Sequence, residues 1–230
     1  MKQVILITGG CQGLGKEVAR EMIKDGDVVI LSKNKNELEN TSKELGCDWI
    51  FCDITDVEQI KKAVAEVVKK YGRIDILINN AGVWIGGELD DNDYSDVARV
   101  TLVNTVGTIN MTKAVIPIMK KQKSGKIAFI NSVDGLEGKV ERGIYGSSKW
   151  AITGFTQCMR MELEKYNIAV LGFYPGRMKT NLFKNAGVEV DLSDAMEPKE
   201  VAQVVRFSLS FNKIVFEQVV FRNLNPSTYE

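Results

Sequence analysis

Tyr145 and Lys149 stand four residues apart in the stretch IYGSSKW, a spacing that puts both side chains on one face of a helix. A phenol beside an ammonium is a tunable proton donor, because the nearby positive charge favours the phenolate and draws its pKa down from about 10. Tyr and Lys at this spacing also suit plain packing on a helix surface, so the pair alone does not decide the chemistry. Upstream, Ser132 closes the apolar run FINS, where its hydroxyl can reach a substrate oxygen beside the tyrosine. The sequence contains no histidine, which removes the commonest general base and the commonest nitrogen ligand of a catalytic metal. Acid/base work falls to Tyr, Lys, Asp, Glu or Cys, and no metal site is expected.

A second constellation lies near the start, where TGGCQGLG follows a short apolar run and leads into a helical stretch over 16–24. Gly9, Gly13 and Gly15 permit a tight turn and let backbone approach a pyrophosphate, whose charge is met by free N–H groups at the helix start. Glycine-rich turns of this kind also arise for structural reasons alone. Gly10 to Gly15 followed by Lys16 nearly spells the phosphate loop of nucleotide kinases and hydrolases, but Glu17 stands where a hydroxyl would hold magnesium. The phosphotransferase reading fails there. Cys11 sits in this turn, and the dipole of the following helix is expected to lower its thiol pKa and make it reactive.

These residues need a scaffold. Short aliphatic runs recur at Val4–Thr8, Val28–Ser32, Trp49–Cys52, Ile74–Asn79, Ile127–Asn131, Ala169–Tyr174 and Ile214–Phe221. Between them, apolar residues at three- and four-residue spacing, such as Val57, Ile60, Val64, Val67 and Val68, mark amphipathic crossover helices. The alternation predicts an α/β fold, a parallel seven-stranded sheet covered on both faces, in a single domain. The least regular stretch, 177–198, follows the sixth strand and so falls at the carboxyl edge of the sheet, where ligands bind in such folds. It is the candidate for a mobile substrate lid.

Thirty basic residues balance thirty acidic ones in the 230-residue chain, so no net field draws it to nucleic acid or to an anionic membrane. No run approaches the roughly 18 apolar residues of a membrane span, and the start lacks a signal-peptide pattern. Cys11, Cys47, Cys52 and Cys158 form neither a CxxC pair nor a dense framework, as reduced thiols of the cytosol would be arranged. The chain reads as soluble and cytoplasmic, with a small-molecule partner.

Taken in order, the motifs resemble those of the short-chain dehydrogenase/reductase family: TGGCQGLG at 8–15, Asp53 in CDIT, NNAG at 79–82, Asn104 in VNTVG, Ser132, the Tyr145 and Lys149 pair, and Pro175-Gly176 followed by Thr180. The resemblance implies a Rossmann-type doubly wound sheet and a catalytic tetrad of Asn104, Ser132, Tyr145 and Lys149. In that reading Tyr145 protonates the carbonyl oxygen as hydride arrives at carbon, Ser132 steadies the oxygen, Lys149 holds the nicotinamide ribose and lowers the tyrosine pKa, and Asn104 holds a relay water. It also implies a dinucleotide wall of Gly9, Cys11, Gln12, Gly13, Leu14, Gly15, Ser32, Lys33, Asp53, Ile54, Asn80, Ala81, Gly82, Pro175, Gly176 and Thr180, together with Tyr145 and Lys149.

The end of the second strand decides the cofactor, since an acid there takes the ribose 2′-OH and a base takes the 2′-phosphate. VVILSKNKNEL has no carboxylate before Glu37. Ser32 and Lys33 stand where NADP-dependent relatives carry a small residue and an arginine, which favours NADP. Gln12, in place of a basic residue before the second motif glycine, leaves NAD open. Candidate substrate-lining residues are Trp84, Ile85, Val133, Asp134, Tyr174, Arg177 and Met178. The ending EQVVFRNLNPSTYE departs from the glycine-rich close of the fatty-acid-synthesis reductases. The resemblance further implies a homo-oligomer, tetramer or dimer, built on the helices around Asn104 and Tyr145, with Trp150 and Phe155 facing outward. A catalytically silent dinucleotide-binding regulator of the same fold is the alternative.

Overall fold

The computed structural model describes residues 2–223. Seven strands form one parallel sheet: β1 (Gln3–Thr8), β2 (Gly26–Ser32), β3 (Asp48–Phe51), β4 (Ile76–Asn79), β5 (Gly125–Ile130), β6 (Ile168–Pro175) and β7 (Gln218–Phe221), in the order β3-β2-β1-β4-β5-β6-β7. The chain winds outward from β1 to β3, then returns to the other side of β1 with β4. That reversal opens a crevice at the carboxyl ends of β1 and β4, the switch point at which such sheets bind ligands.

Alternation along the strands fills two cores, as expected of a sheet buried on both faces. Val4 and Leu6 of β1 pack to one side with Val29, Leu31, Leu77, Ile127 and Phe129. The covering helices there are α3 (Val57–Tyr71), α5 (Thr108–Gln122) and α6 (Gly143–Leu163). Ile5 and Ile7 turn the other way, joining Ile30, Ile78, Leu171 and Phe173 beneath α1 (Gly13–Met22), α2 (Lys35–Leu45) and α7 (Pro198–Leu209). Local signals set the helix ends: Asp56 caps α3 by accepting from the Glu58 and Gln59 amides at 2.9 and 3.1 Å, and Gly72, at φ 75°, closes it in the left-handed conformation.

The strand expected over 214–221 is only the four-residue β7. Phe216, just before it, instead packs its ring with Phe207 and Phe211 of the α7 end at centroid distances of 6.0 and 5.6 Å, so burial of aromatic surface wins over strand propensity there. The distinctive NPSTYE ending lies outside the described residues. Phe155 also departs from expectation, since it turns inward and meets Phe129 edge-on at 5.7 Å, while Trp150 faces out. Between α4 (Tyr94–Thr101) and α5 the chain widens into a π-helical turn, Leu102–Gly107, that contains Asn104.

Candidate active site

The crevice is closed by hydrogen bonds between the first glycine turn and the strand beside it. Thr8 accepts, at its Oγ1, from the amides of Asn80 and Ala81 at 3.0 and 3.1 Å. Asn80 Nδ2 donates back to the carbonyls of Thr8 and Gly9 at 3.0 and 3.1 Å. Gly9 adopts φ +64°, and a Cβ on Gly15 would collide with the Gly9 carbonyl, so side chains are excluded where the backbone must lie bare. Gln12 precedes α1 in an extended conformation, and its side chain takes none of the free amides of the first turn. A bare glycine cradle ending in open helix amides fits the pyrophosphate of a dinucleotide. Thr180 stands across from Gly13, its Cβ 3.5 Å from where a side chain would begin.

Further along the same cleft, of about 550 Å³, lie Ser132, Tyr145 and Lys149. Ser132 sits past the end of β5 and caps a short turn over 133–135, its Oγ accepting from the Asp134 amide at 3.1 Å. Tyr145 and Lys149 project from the first turns of α6, and both are buried. Lys149 Nζ lies 5.5 Å from the Tyr145 ring centre and donates to the Ile130 carbonyl at 3.4 Å. Its backbone carbonyl is tied to Asn131 Nδ2 at 3.1 Å. A phenol, a hydroxyl and an ammonium thus line the same cleft as the glycine cradle. A sequence model for short chain dehydrogenases matches residues 3–191.

The chain belongs to the short-chain dehydrogenase family.

Among curated relatives, it is 34% identical over 186 residues to 3-ketodihydrosphingosine reductase of Bacteroides thetaiotaomicron, covering 81% of this chain and 68% of that one. It is 35% identical over 222 residues to 3-oxoacyl-(acyl-carrier-protein) reductase FabG of Thermotoga maritima, covering 90% of each. Among solved structures, a single-substitution variant of actinorhodin polyketide ketoreductase with NADPH superposes with a TM-score of 0.88 at 28% identity, covering 96% of both chains. This short-chain dehydrogenase is accordingly an NAD(P)-dependent oxidoreductase acting on CH–OH or C=O groups.

The electrostatics of the short-chain dehydrogenase site differ from the sequence expectation. Burial pushes the Tyr145 phenol upward, and the Asp134 carboxylate adds to it, against smaller opposing effects of the Ser132 hydrogen bond and Arg142. Burial also brings the Lys149 ammonium down to about 8, with Asp134 opposing. The phenol is raised and not lowered here, because it is withdrawn from water and desolvation outweighs every opposing effect. Cys11 likewise departs. Its thiol is buried, contacts Glu37 Oε2 at 3.4 Å, and is pushed up rather than down, mainly by desolvation. Loss of water outweighs the helix start, so no reactive thiol is expected.

Of the residues read from the sequence, Gly9, Gln12, Gly13, Leu14, Gly15, Ser32, Lys33, Asp53, Ile54, Asn80, Ala81, Gly82, Pro175, Gly176 and Thr180 line the cleft with Ser132, Tyr145 and Lys149. Cys11 and Asn104 stand behind its wall. Asn104 spends its amide on structure: Oδ1 accepts from the Val83 amide at 2.8 Å, and Nδ2 donates to the Val83 carbonyl at 2.9 Å and Ser148 Oγ at 3.1 Å. Lys33 lies 3.9 Å from Asp53 at the open end. Trp84, Val133, Asp134, Arg177 and Met178 face the cleft, whereas Ile85 does not and Tyr174 is wholly buried within β6. Residues 177–196 loop back on themselves through a bridge between Met178 and Met196, which puts Phe183 against Trp84 at 4.9 Å, edge-on. Arg142, which the sequence reading passed over, lies 4.7 Å above the Trp84 ring.

Proposed function

We propose that this protein is an NADP(H)-dependent carbonyl reductase in which Tyr145 is the proton donor. The observation that carries the reading is that Ser132, buried Tyr145 and Lys149 line the same cleft as the bare glycine cradle. A bound reduced nicotinamide supplies the hydride. Tyr145, held protonated by its burial, gives its proton to the carbonyl oxygen while the Ser132 hydroxyl donates to the same oxygen. Lys149 offsets the phenolate left behind and offers its ammonium to the ribose hydroxyls. Asn104 acts through its grip on Val83, which fixes the loop after NNAG. The stretch 177–198 serves as the substrate lid, and Phe183 is its contact with the cleft floor. A homo-oligomer in the cytoplasm is the expected working form, with exposed Leu102, Val106, Trp150 and Met161 on the helices around the site available to a second copy.

Preference for NADP rests on Ser32 and Lys33 at the end of β2, both facing the cleft. The nearby Asp53 partly neutralises Lys33 and keeps the preference modest. The experiment is a carbonyl screen followed by loss of NADPH or NADH absorbance, with kcat/KM for both cofactors measured in the parent and in the Ser32→Asp, Lys33→Ala double variant. The parent should favour NADPH, and the double variant should lower the NADPH to NADH ratio by about ten-fold or more, the size of one charge-assisted contact. A parent that prefers NADH, or a ratio that does not move, rejects NADP while leaving the tyrosine chemistry standing.

A further inference from the structure

Arg142 is the residue immediately before α6, and its carbonyl accepts from the Gly146 amide at 2.6 Å. It is therefore anchored to the helix that carries Tyr145, three residues or roughly 4.5 Å of helix rise before it along the backbone. Its guanidinium lies over the indole of Trp84, Cζ 4.7 Å from the ring centre, and that ring is itself buried and braced edge-on by Phe183. Gly86 makes room for the stack, since a Cβ there would collide with both Arg142 Nη1 and the Trp84 ring. A cation held on an aromatic face is fixed in direction and partly desolvated.

The guanidinium is only half engaged. Asp134 lies 3.9 Å from its Nε, and Nη1 donates to the Glu141 carbonyl at 3.3 Å. Among the described residues no acceptor meets Nη2. Lys139, 3.3 Å from Asp134 and 3.5 Å from Glu137, adds a second cation to the same wall of the cleft. Asp134 and Glu137 carry two negative charges against Lys139, Arg142 and Arg222, which pairs with Glu137 at 2.7 Å, so this wall keeps one positive charge in excess. Planar guanidinium N–H groups recognise carboxylates and phosphates through paired hydrogen bonds.

We infer that Arg142, stacked on Trp84, is the specificity-determining residue of the substrate cleft, and that it selects carbonyl substrates bearing an anionic group a few bonds from the reacting carbon. The inference builds on the carbonyl-reductase reading. It assigns the substrate class to one side chain: the anion meets the free edge of Arg142 while Trp84 and Phe183 cover the apolar remainder.

Equilibrium binding tests it without turnover. Phenylacetate, 3-phenylpropanoate and hexanoate are titrated against the full chain saturated with NADPH, each beside its neutral amide, by calorimetry and by tryptophan fluorescence. The variants are Arg142→Met, which keeps an unbranched stem on Trp84, and Arg142→Lys, which keeps charge but not the planar fork. The parent should bind at least one acid about ten-fold more tightly than its amide, with the ratio falling as salt rises. Arg142→Met should bring that ratio near one, and Arg142→Lys should fall between. Equal binding of every acid and its amide, no binding of any acid, or an unchanged ratio in Arg142→Met overturns the inference. Failure of the reductase reading shows up separately, as no NADPH oxidation with any carbonyl compound while acids still bind through Arg142.

Discussion

Tyr145 keeps its proton at neutral pH because it is buried and because the Asp134 carboxylate stands near it, and both effects disfavour a phenolate. For carbonyl reduction this is the useful state, since the group must arrive with a proton to give. Tyr145→Phe removes that proton and one oxygen and leaves the ring. Turnover should fall by about 10² to 10⁴, the range typical of a general acid, while the NADPH dissociation constant measured by fluorescence changes little. A variant within a factor of two of the parent in steady-state rate would remove Tyr145 from the chemistry. The same burial explains where spacing misled. Four residues between Tyr145 and Lys149 fix a shared helix face, but the sign of a pKa shift depends on how much water surrounds the pair. Cys11 repeats the lesson, with a helix start in sequence view and a dry pocket behind Glu37 in space.

At the scale of elements, the sheet was legible because alternation and buried aliphatic runs are dictated by the two-faced packing of β1, β2, β5 and β6. The glycine cradle was legible for the same kind of reason, since no other residue tolerates the contacts at Gly9 and Gly15. The π-helical turn at Leu102–Gly107 was not, because one inserted residue changes the apolar period too little to register in a sequence. Nor was the Arg142 and Trp84 stack, which joins the loop after β4 to the start of α6 and has no local signature. The π turn points Asn104 at Val83, so this element has a consequence for the loop after NNAG. Asn104→Ala leaves the Val83 amide and carbonyl without their partner. Such unsatisfied groups cost about 1–3 kcal/mol, or several degrees of Tm in a chain of this length. Calorimetry should show that loss together with a lower kcat/KM. A variant that keeps parental Tm would mean that the loop holds itself.

For the whole molecule, the site acts against the stability that the two cores provide. Lys149 has an ordinary pKa of 10.5 that burial lowers to about 8. Below about 8 both folded and unfolded chains hold the proton, and the folded chain carries the full penalty of a buried ammonium. Between about 8 and 10.5 the folded chain releases the proton while the unfolded chain keeps it, so this group's contribution to stability rises with pH across that window. The interval corresponds to roughly 3 kcal/mol at about 1.36 kcal/mol per pKa unit. Lys149→Met, similar in volume and apolar, removes that penalty and should raise Tm by several degrees at about pH 7 while abolishing most activity. Its advantage over the parent should shrink as pH climbs from about 8 toward 10.5. Thermal melts of parent and variant across that range test the idea. A gain independent of pH would assign the effect to packing, and a variant less stable than the parent at neutral pH would show that the ammonium is compensated by its surroundings rather than tolerated for the reaction.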